Sequence, residues 1–293
     1  MKSKLLVVKF KGGLGNQMFQ YALYKKLESI GRNVLADLSW FEQHNKEFSL
    51  PHVFPKVSLT DEGAIKVISE YKTACKNRGF FYRVLQRLCP LMRYQMNEKD
   101  DNVFQPTVLK YKRGILDGYW QTSKYWSDIR GDIRQDFLFS PIKEEKVLEL
   151  INIIQSFNTV SIHVRRGDYL LPENDRLFGN ICTLEYYEKA IEYIKNQYPD
   201  IKFVFFTNDA QWVKEQFQME NVFYANDYIN DDMPDWYDMH LMSQCNHHII
   251  ANSSFSWWGA YLDQKIDKIV IAPSKWLNGK QAKDIYEENW IKI

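Results

Sequence analysis

The sequence predicts an α/β fold of two domains facing each other across a cleft, each built on a parallel sheet. Three observations predict it. Short apolar runs alternate with amphipathic segments at both ends of the chain. Apolar runs joined by crossover helices require a sheet covered on both faces. The length of 293 residues, 45% of them apolar, suits two domains with sizeable cores.

In chain order, Leu5 to Phe10 reads as the first strand and Lys11 to Asn16 as a loop. A helix follows from Gln17 to about Ser29, stopped by Gly31, and Asn33 to Leu38 is the second strand. Residues 40–113 read as mixed short helices and loops. Ile115 to Trp120 is a strand, and Ser123 is placed to cap a helix running toward Phe137. The domain boundary falls near Ser140-Pro141, giving domains 1–140 and 141–293. Beyond it come a helix (Glu144 to Phe157), a strand (Thr159 to Val164) and a helix that Thr183 caps, ending at Gln197 before Pro199. Lys202 to Thr207, Val222 to Ala225, His248 to Ala251 and Lys268 to Ala272 are strands. Ala210 to Phe217, Pro234 to Cys245 and Ser254 to Asp263 are the helices between them.

Bulk composition narrows the function. A formal net charge of +1 gives no global attraction to nucleic acid. Nine Trp and 18 Tyr suit stacking on sugar faces, though they also fill cores. The four cysteines form neither a C-x-x-C pair nor a zinc spacing. The first residues read as a strand rather than a signal peptide, and no run approaches a membrane span. The expected setting is the cytoplasm, with free thiols. Lys72 to Arg93 carries six basic residues and no acidic one, interleaved with Phe80, Phe81, Tyr82 and Leu85. Such a segment suits peripheral contact with the inner face of a membrane; the alternative is a helical hairpin packed on the first domain.

The chemistry is concentrated at strand ends. His163-Val164-Arg165-Arg166-Gly167-Asp168-Tyr169 closes a buried strand, where open α/β sheets bind ligands. Paired guanidiniums there suit a phosphate or diphosphate, while the alternative is a structural Arg–Asp pair. Gly12-Gly13-Leu14-Gly15-Asn16-Gln17-Met18 opens a helix after a strand. It approaches a dinucleotide fingerprint with Asp37 as the ribose acid, but Met18 stands in place of the third glycine. Phe205-Phe206-Thr207-Asn208-Asp209 ends a strand with either ligand groups or a helix cap. Asn252-Ser253-Ser254-Phe255-Ser256-Trp257-Trp258-Gly259 offers hydroxyls and helix N-terminal amides to an anion, with the Trp pair as core. No D-x-D triplet occurs, so arginines, hydroxyls and a helix N-terminus are expected to neutralise a diphosphate without a metal.

These motifs, in this order over about residues 7–262, resemble the bacterial α-1,2-fucosyltransferases of glycosyltransferase family 11. The resemblance implies a GT-B arrangement of two Rossmann-like domains, the first on the acceptor side and the second holding the GDP-sugar. It implies metal-independent, inverting transfer of L-fucose from GDP-β-L-fucose to the 2-hydroxyl of a galactose or similar sugar. The acceptor would be a galactose-terminated oligosaccharide or a lipid-linked glycan, with no cofactor. By resemblance Arg165 supports the leaving β-phosphate, flanked by His163 and Arg166, with Asp168 orienting the loop. Asp238 would hold the guanine or ribose, Ser254, Phe255 and Ser256 the phosphates, and Asn208 and Asp209 belong to the donor side. Glu173 is the candidate base, with Asp168 an alternative; a strongly dissociative reaction needs none. Gly13, Gly15, Asn16, Gln17, Trp120 and Gln121 are expected to line the acceptor side of the cleft. The competing readings are a transferase for another nucleotide sugar and a non-catalytic nucleotide- or glycan-binding protein. A dinucleotide oxidoreductase leaves the arginine pair unexplained.

Overall fold

A computed structural model describes residues 5–76, 93–98, 102–280 and 282–293. The chain divides into two compact units, Met1–Leu138 with Lys283–Ile285, and Phe139–Ala282 with Tyr286–Ile293. The short return of Lys283–Ile285 to the first unit is not anticipated by a single cut near residue 140. The expectation of a membrane-facing segment over 72–93 falls mostly on 77–92, outside the described residues. Among the described residues, no helix is long and apolar enough to cross a membrane.

The first unit runs β1 (Leu5–Lys9), α1 (Leu14–Ser29), β2 (Asn33–Asp37), α2 (Ser39–His44), α3 (Leu50–Val53), α4 (Ala64–Lys76), β3 (Gln95–Asn97), β4 (Gly114–Asp117) and α5 (Arg130–Asp136). Its described strands form a parallel sheet in the order β2-β1-β4-β3. Val7 and Leu35 on the sheet receive Ala64, Val67 and Ile68 of α4. Gly31, at φ +74°, ends α1 where the chain turns left-handed. The Gly31 N–H reaches Glu28 O at 2.8 Å and the Arg32 N–H reaches Leu27 O at 3.0 Å.

Two expectations in this unit are corrected. The strand expected from Ile115 to Trp120 stops at Asp117, because Trp120 takes a left-handed backbone at φ +57°. The helix expected from Ser123 toward Phe137 is broken into 3-10 turns at Ser123–Tyr125 and Ser127–Ile129 before α5. Thr122, not Ser123, is the cap; its hydroxyl accepts the Lys124 N–H. Tyr125 and Trp126 turn into the core, and Trp126 at φ −127° leaves the helical path.

The second unit contains α6 (Glu145–Ser156), β5 (Thr159–Val164), α7 (Pro172–Phe178), α8 (Leu184–Gln197), β6 (Lys202–Thr207), α9 (Ala210–Gln216), β7 (Val222–Tyr224), α10 (Trp236–Gln244), β8 (His247–Ile249), α11 (Ser254–Leu262), β9 (Val270–Ala272) and β10 (Ile291–Lys292). Every pairing in its sheet is parallel, in the order β10-β9-β8-β5-β6-β7. That is the doubly wound order, with β5 as first strand and the direction of winding reversing between β5 and β8. β5 is buried along its whole length, which explains its unbroken apolar reading. Val160, Ile162 and Val164 pack with Phe203, Phe205, Ile191 and Ile194 in one core. Trp257 and Trp258 are fully buried, and Gly259 lets α11 approach Met242 of α10. The α7 helix lies in a stretch for which no element was expected, although Pro172 at its first turn was an available signal.

Candidate active site

The arginine loop and the serine-capped helix of the second unit leave the carboxyl ends of the two strands that flank its reversal of winding. These are β5 and β8, paired in parallel from Val160↔His247 to Ile162↔Ile249. The His163–Gly167 segment and the Ala251–Ser256 segment therefore emerge side by side. The His163 ring lies 5.9 Å from that of Phe255, in the first turn of α11.

Arg165 is half-buried, with its guanidinium 5.8 Å from the centre of the Tyr169 ring. Tyr169 is itself fixed: its hydroxyl donates to the Asn252 carbonyl at 3.1 Å, and its ring stacks on Phe178 at 4.9 Å. The Asn252 side-chain amide donates to the carbonyls of Phe178 and Trp276, both at 3.2 Å. Asn252 thus stitches the end of β8 to the loop that carries Arg165. Burial, reinforced by the nearby Arg165 charge, holds His163 down to about 3, so its ring is neutral at physiological pH. Its Nδ1 is buried and makes no hydrogen bond to the protein.

Arg166 is held in a different way. Its Nε donates to Asp209 at 3.1 Å, its guanidinium sits 3.9 Å from the Trp212 ring centre, and its backbone N–H donates to Asn208 Oδ1 at 3.0 Å. Asp209 also caps α9 by accepting the Trp212 N–H at 3.2 Å. The two readings of this strand end, helix cap or ligand group, resolve into a cap with an arginine clamp. A Cβ at Gly167 would lie 2.3 Å from Asn208 Nδ2, so a larger residue here would displace the Asn208 side chain.

At α11 the serines divide. Ser253 caps the helix by accepting the Phe255 N–H at 3.3 Å. Ser256, expected among the phosphate ligands, is fully buried and donates to the Ala251 and Ser253 carbonyls at 3.2 Å each. It closes the turn instead of facing a ligand. Ser254 and Phe255 are half-buried at the first turn. Asp238 occupies the first turn of α10, which runs back across the sheet and so starts at the carboxyl edge. Burial first, and then the nearby Asp235, push its carboxyl up to about 7. Glu173 stands exposed in the first turn of α7. The backbone of Asp168 lies in the 3-10 turn Gly167–Leu170, and its side chain falls outside the described atoms.

In the first unit the Gly-rich turn and the turn after β4 leave the carboxyl ends of the neighbouring parallel strands β1 and β4. Gly12, at φ +83°, makes the turn and lets Asn16 fold over it. Gly13 is the residue before α1, and Gly15 is buried in its first turn. Asn16 Oδ1 accepts the Gln121 side-chain amide at 2.6 Å. Gln17, expected to face the acceptor, is buried; it donates to Gly12 O at 3.0 Å and accepts the Ser49 N–H at 3.0 Å. Trp120 is likewise fully buried and shapes this edge through its backbone. Gln20 bridges the two loops, accepting the Lys11 N–H at 3.0 Å and donating to Gly118 O at 3.2 Å. Asp117 receives both Lys9 and Lys11, at 3.0 and 2.9 Å; burial alone would raise its carboxyl, but the lysines hold it low. Gln20, two residues beyond the Gly-rich motif, was not among the expected site residues. Asp117, Trp212 and Glu98, which accepts the N–H groups of Tyr119 and Trp120, carried no sequence signal. Among the described residues, no group of three or more His, Cys, Asp or Glu side chains is placed to hold a metal ion.

An α-1,2-colitosyltransferase of Escherichia coli is 30% identical over 296 residues, covering 99% of each chain. A galactoside α-(1,2)-fucosyltransferase 1 of Ateles belzebuth is 30% identical over 156 residues, 50% of this chain and 42% of that protein. The crystal structure of the fucosyltransferase NodZ from Bradyrhizobium superposes with a TM-score of 0.50 at 15% identity, covering 89% of this chain and 93% of that one. The similarity in structure establishes an α/β fold of GT-B type. The profile of Glycosyl transferase family 11 matches residues 91–293. The chain is therefore a glycosyltransferase and belongs to family 11.

Proposed function

We propose that this enzyme transfers L-fucose from GDP-β-L-fucose to the 2-hydroxyl of a galactose-type acceptor, with inversion to an α-1,2 linkage and without a metal ion. The observation that carries this reading is the juxtaposition of His163–Arg165 with the first turn of α11 at the reversal between β5 and β8. A cationic side chain beside the N-terminal turn of a helix suits the diphosphate of a nucleotide sugar. The relatives named above act, by their names, in α-1,2 linkage on fucosyl or colitosyl groups.

In this reading the acceptor 2-hydroxyl oxygen attacks the fucose anomeric carbon from the face opposite GDP. The bond from that carbon to the β-phosphate oxygen breaks, and its electron pair leaves with GDP. The transition state is oxocarbenium-like. Arg165 and the N–H groups at the start of α11 meet the charge that builds on the phosphate, in a site already formed. His163, being neutral, contributes a hydrogen bond and no charge. Arg166 acts through its Asp209 clamp to hold the loop. Asp238 holds the guanine or ribose, and the first unit orients the acceptor. The hydroxyl proton leaves to Glu173 or, in a dissociative reaction, to solvent late in the step. A Glu173→Gln variant with unchanged turnover removes the first route.

The colitosyl relative gives a second reading a specific basis: the donor carries a sugar lacking the 3-hydroxyl of fucose. A donor panel with an unlabelled β-galactoside, in EDTA, decides between them. Transfer from GDP-fucose supports the main reading, and transfer from GDP-colitose alone supports the second.

A further inference from the structure

The turn after β4 contains a conformation that a bulky residue seldom adopts. Trp120 has φ +57°, in the region that glycine and asparagine favour. Its indole is fully buried, but the ring nitrogen makes no hydrogen bond to the protein. The polar anchoring of this turn lies in its backbone, and Glu98 is the side chain that supplies it. One carboxylate oxygen accepts the Tyr119 N–H at 2.6 Å and the Trp120 N–H at 3.1 Å. The other accepts the Trp120 N–H at 3.2 Å.

Glu98 is placed for this by the sheet. It directly follows β3, and its own N–H donates to Asp117 O at 2.9 Å, beside the end of β4. Gly118 leaves room for it, since a Cβ there would lie 2.6 Å from Glu98 Cβ. Beyond Trp120, the Thr122 N–H returns to the Trp120 carbonyl at 2.8 Å, closing the turn. The residue projected between these two anchors is Gln121, whose amide meets Asn16 at 2.6 Å. Tyr119 and Gln121 are half-buried, so this edge offers a ring and an amide pair to a ligand. Carboxamides that both donate and accept suit sugar hydroxyls.

We propose that Glu98 is a positioning residue for the acceptor: by taking the Tyr119 and Trp120 N–H groups it holds the left-handed turn that sets Gln121 against Asn16. The inference rests on the reading of the first unit as the acceptor side. It assigns Glu98 no proton transfer, because both carboxylate oxygens accept backbone N–H groups.

The test is steady-state kinetics of the full-length enzyme with Glu98→Ala and Glu98→Gln, using GDP-fucose and a β-galactoside. GDP affinity is read by calorimetry alongside. The expected result is an acceptor KM raised about ten- to a hundredfold, as for a misplaced binding group. GDP affinity and hydrolysis of GDP-fucose without acceptor stay as in the wild type. The Gln variant keeps the shape of the side chain and remains informative where Ala does not fold. An unchanged acceptor KM in a folded variant overturns the inference. So does a parallel loss of GDP affinity, which marks a general structural role, or a fall in kcat at constant KM, which marks a base. Wild-type enzyme that transfers no fucose tells against the donor and acceptor reading and takes the inference with it. Wild-type transfer with an unaffected Glu98 variant sinks the inference alone.

Discussion

Two adjacent arginines share a strand end but not their surroundings. Arg166 is clamped by Asp209, Trp212 and Asn208, whereas Arg165 lies over Tyr169 beside the buried, neutral His163. Arg165→Ala is expected to lower turnover on the order of 10²–10³-fold while the fold persists, the loss typical of one charge-stabilising donor. Near wild-type activity in a folded variant would contradict the role given to it. Asp238 supplies a pH signature. Its carboxyl, held up to about 7, is protonated below that pH and ionised above it. If it accepts hydrogen bonds from the nucleoside as a carboxylate, GDP affinity falls as pH drops below 7, and Asp238→Asn removes the dependence. Calorimetry between pH 6 and pH 8 reads both, roughly a unit either side of that midpoint. His163 gives folding stability a pH dependence of its own. Its folded value of about 3 lies below the unfolded value of 6.5, so below pH 6.5 the unfolded chain binds the extra proton. Its share of the stability lost between about pH 7 and pH 5 is about 2 kcal/mol. Chemical denaturation of His163→Gln at both values should show that much less acid sensitivity; an identical loss in the variant would mean that His163 is not buried neutral.

At the scale of elements, one strand end combines a cap and a clamp. Asp209 accepts the Trp212 N–H at the start of α9 and binds Arg166 from the side. Asp209→Ala is therefore expected to cost about 1–2 kcal/mol through the cap and to weaken donor binding by freeing the loop. Asp209→Asn keeps a cap acceptor and loses the ion pair, so it should retain most of the melting temperature but not the affinity. Wild-type affinity in Asp209→Asn, or equal losses of melting temperature in the two variants, would argue against a separate clamp. The sequence was most legible in such elements. Thr159–Val164 and Lys202–Thr207 have the bounds expected from their apolar runs, because a parallel strand buried on both faces leaves an unbroken hydrophobic signal. Elements held by tertiary contacts were less legible. β10 is two residues paired to β9, α7 is seven residues whose Phe178 stacks on Tyr169, and the 123–137 segment bends to bury Tyr125 and Trp126. The site residues divided in the same way. Charges at strand ends were visible as candidates. That Ser256 and Gln17 are buried and bonded to backbone was not, since a hydroxyl or amide has the same letter whether it faces ligand or closes a turn.

For the whole molecule, both units follow one plan. Each is built on a parallel sheet, and each gathers polar motifs at the carboxyl ends of neighbouring strands, β1 and β4 in the first and β5 and β8 in the second. Gly-rich turn, arginine loop and capped helix are thereby positioned by topology before any side chain is considered. The donor charge in this account is carried by Arg165 and helix amides, so activity should survive chelation; a loss in EDTA restored by a divalent cation would contradict it. The most direct test of the central claim is incubation of the purified enzyme with GDP-fucose and a β-galactoside, with the product solved by NMR. The account predicts a fucosyl residue in α linkage on the galactose 2-hydroxyl. A β linkage, another hydroxyl, or transfer only from a different nucleotide sugar would contradict it.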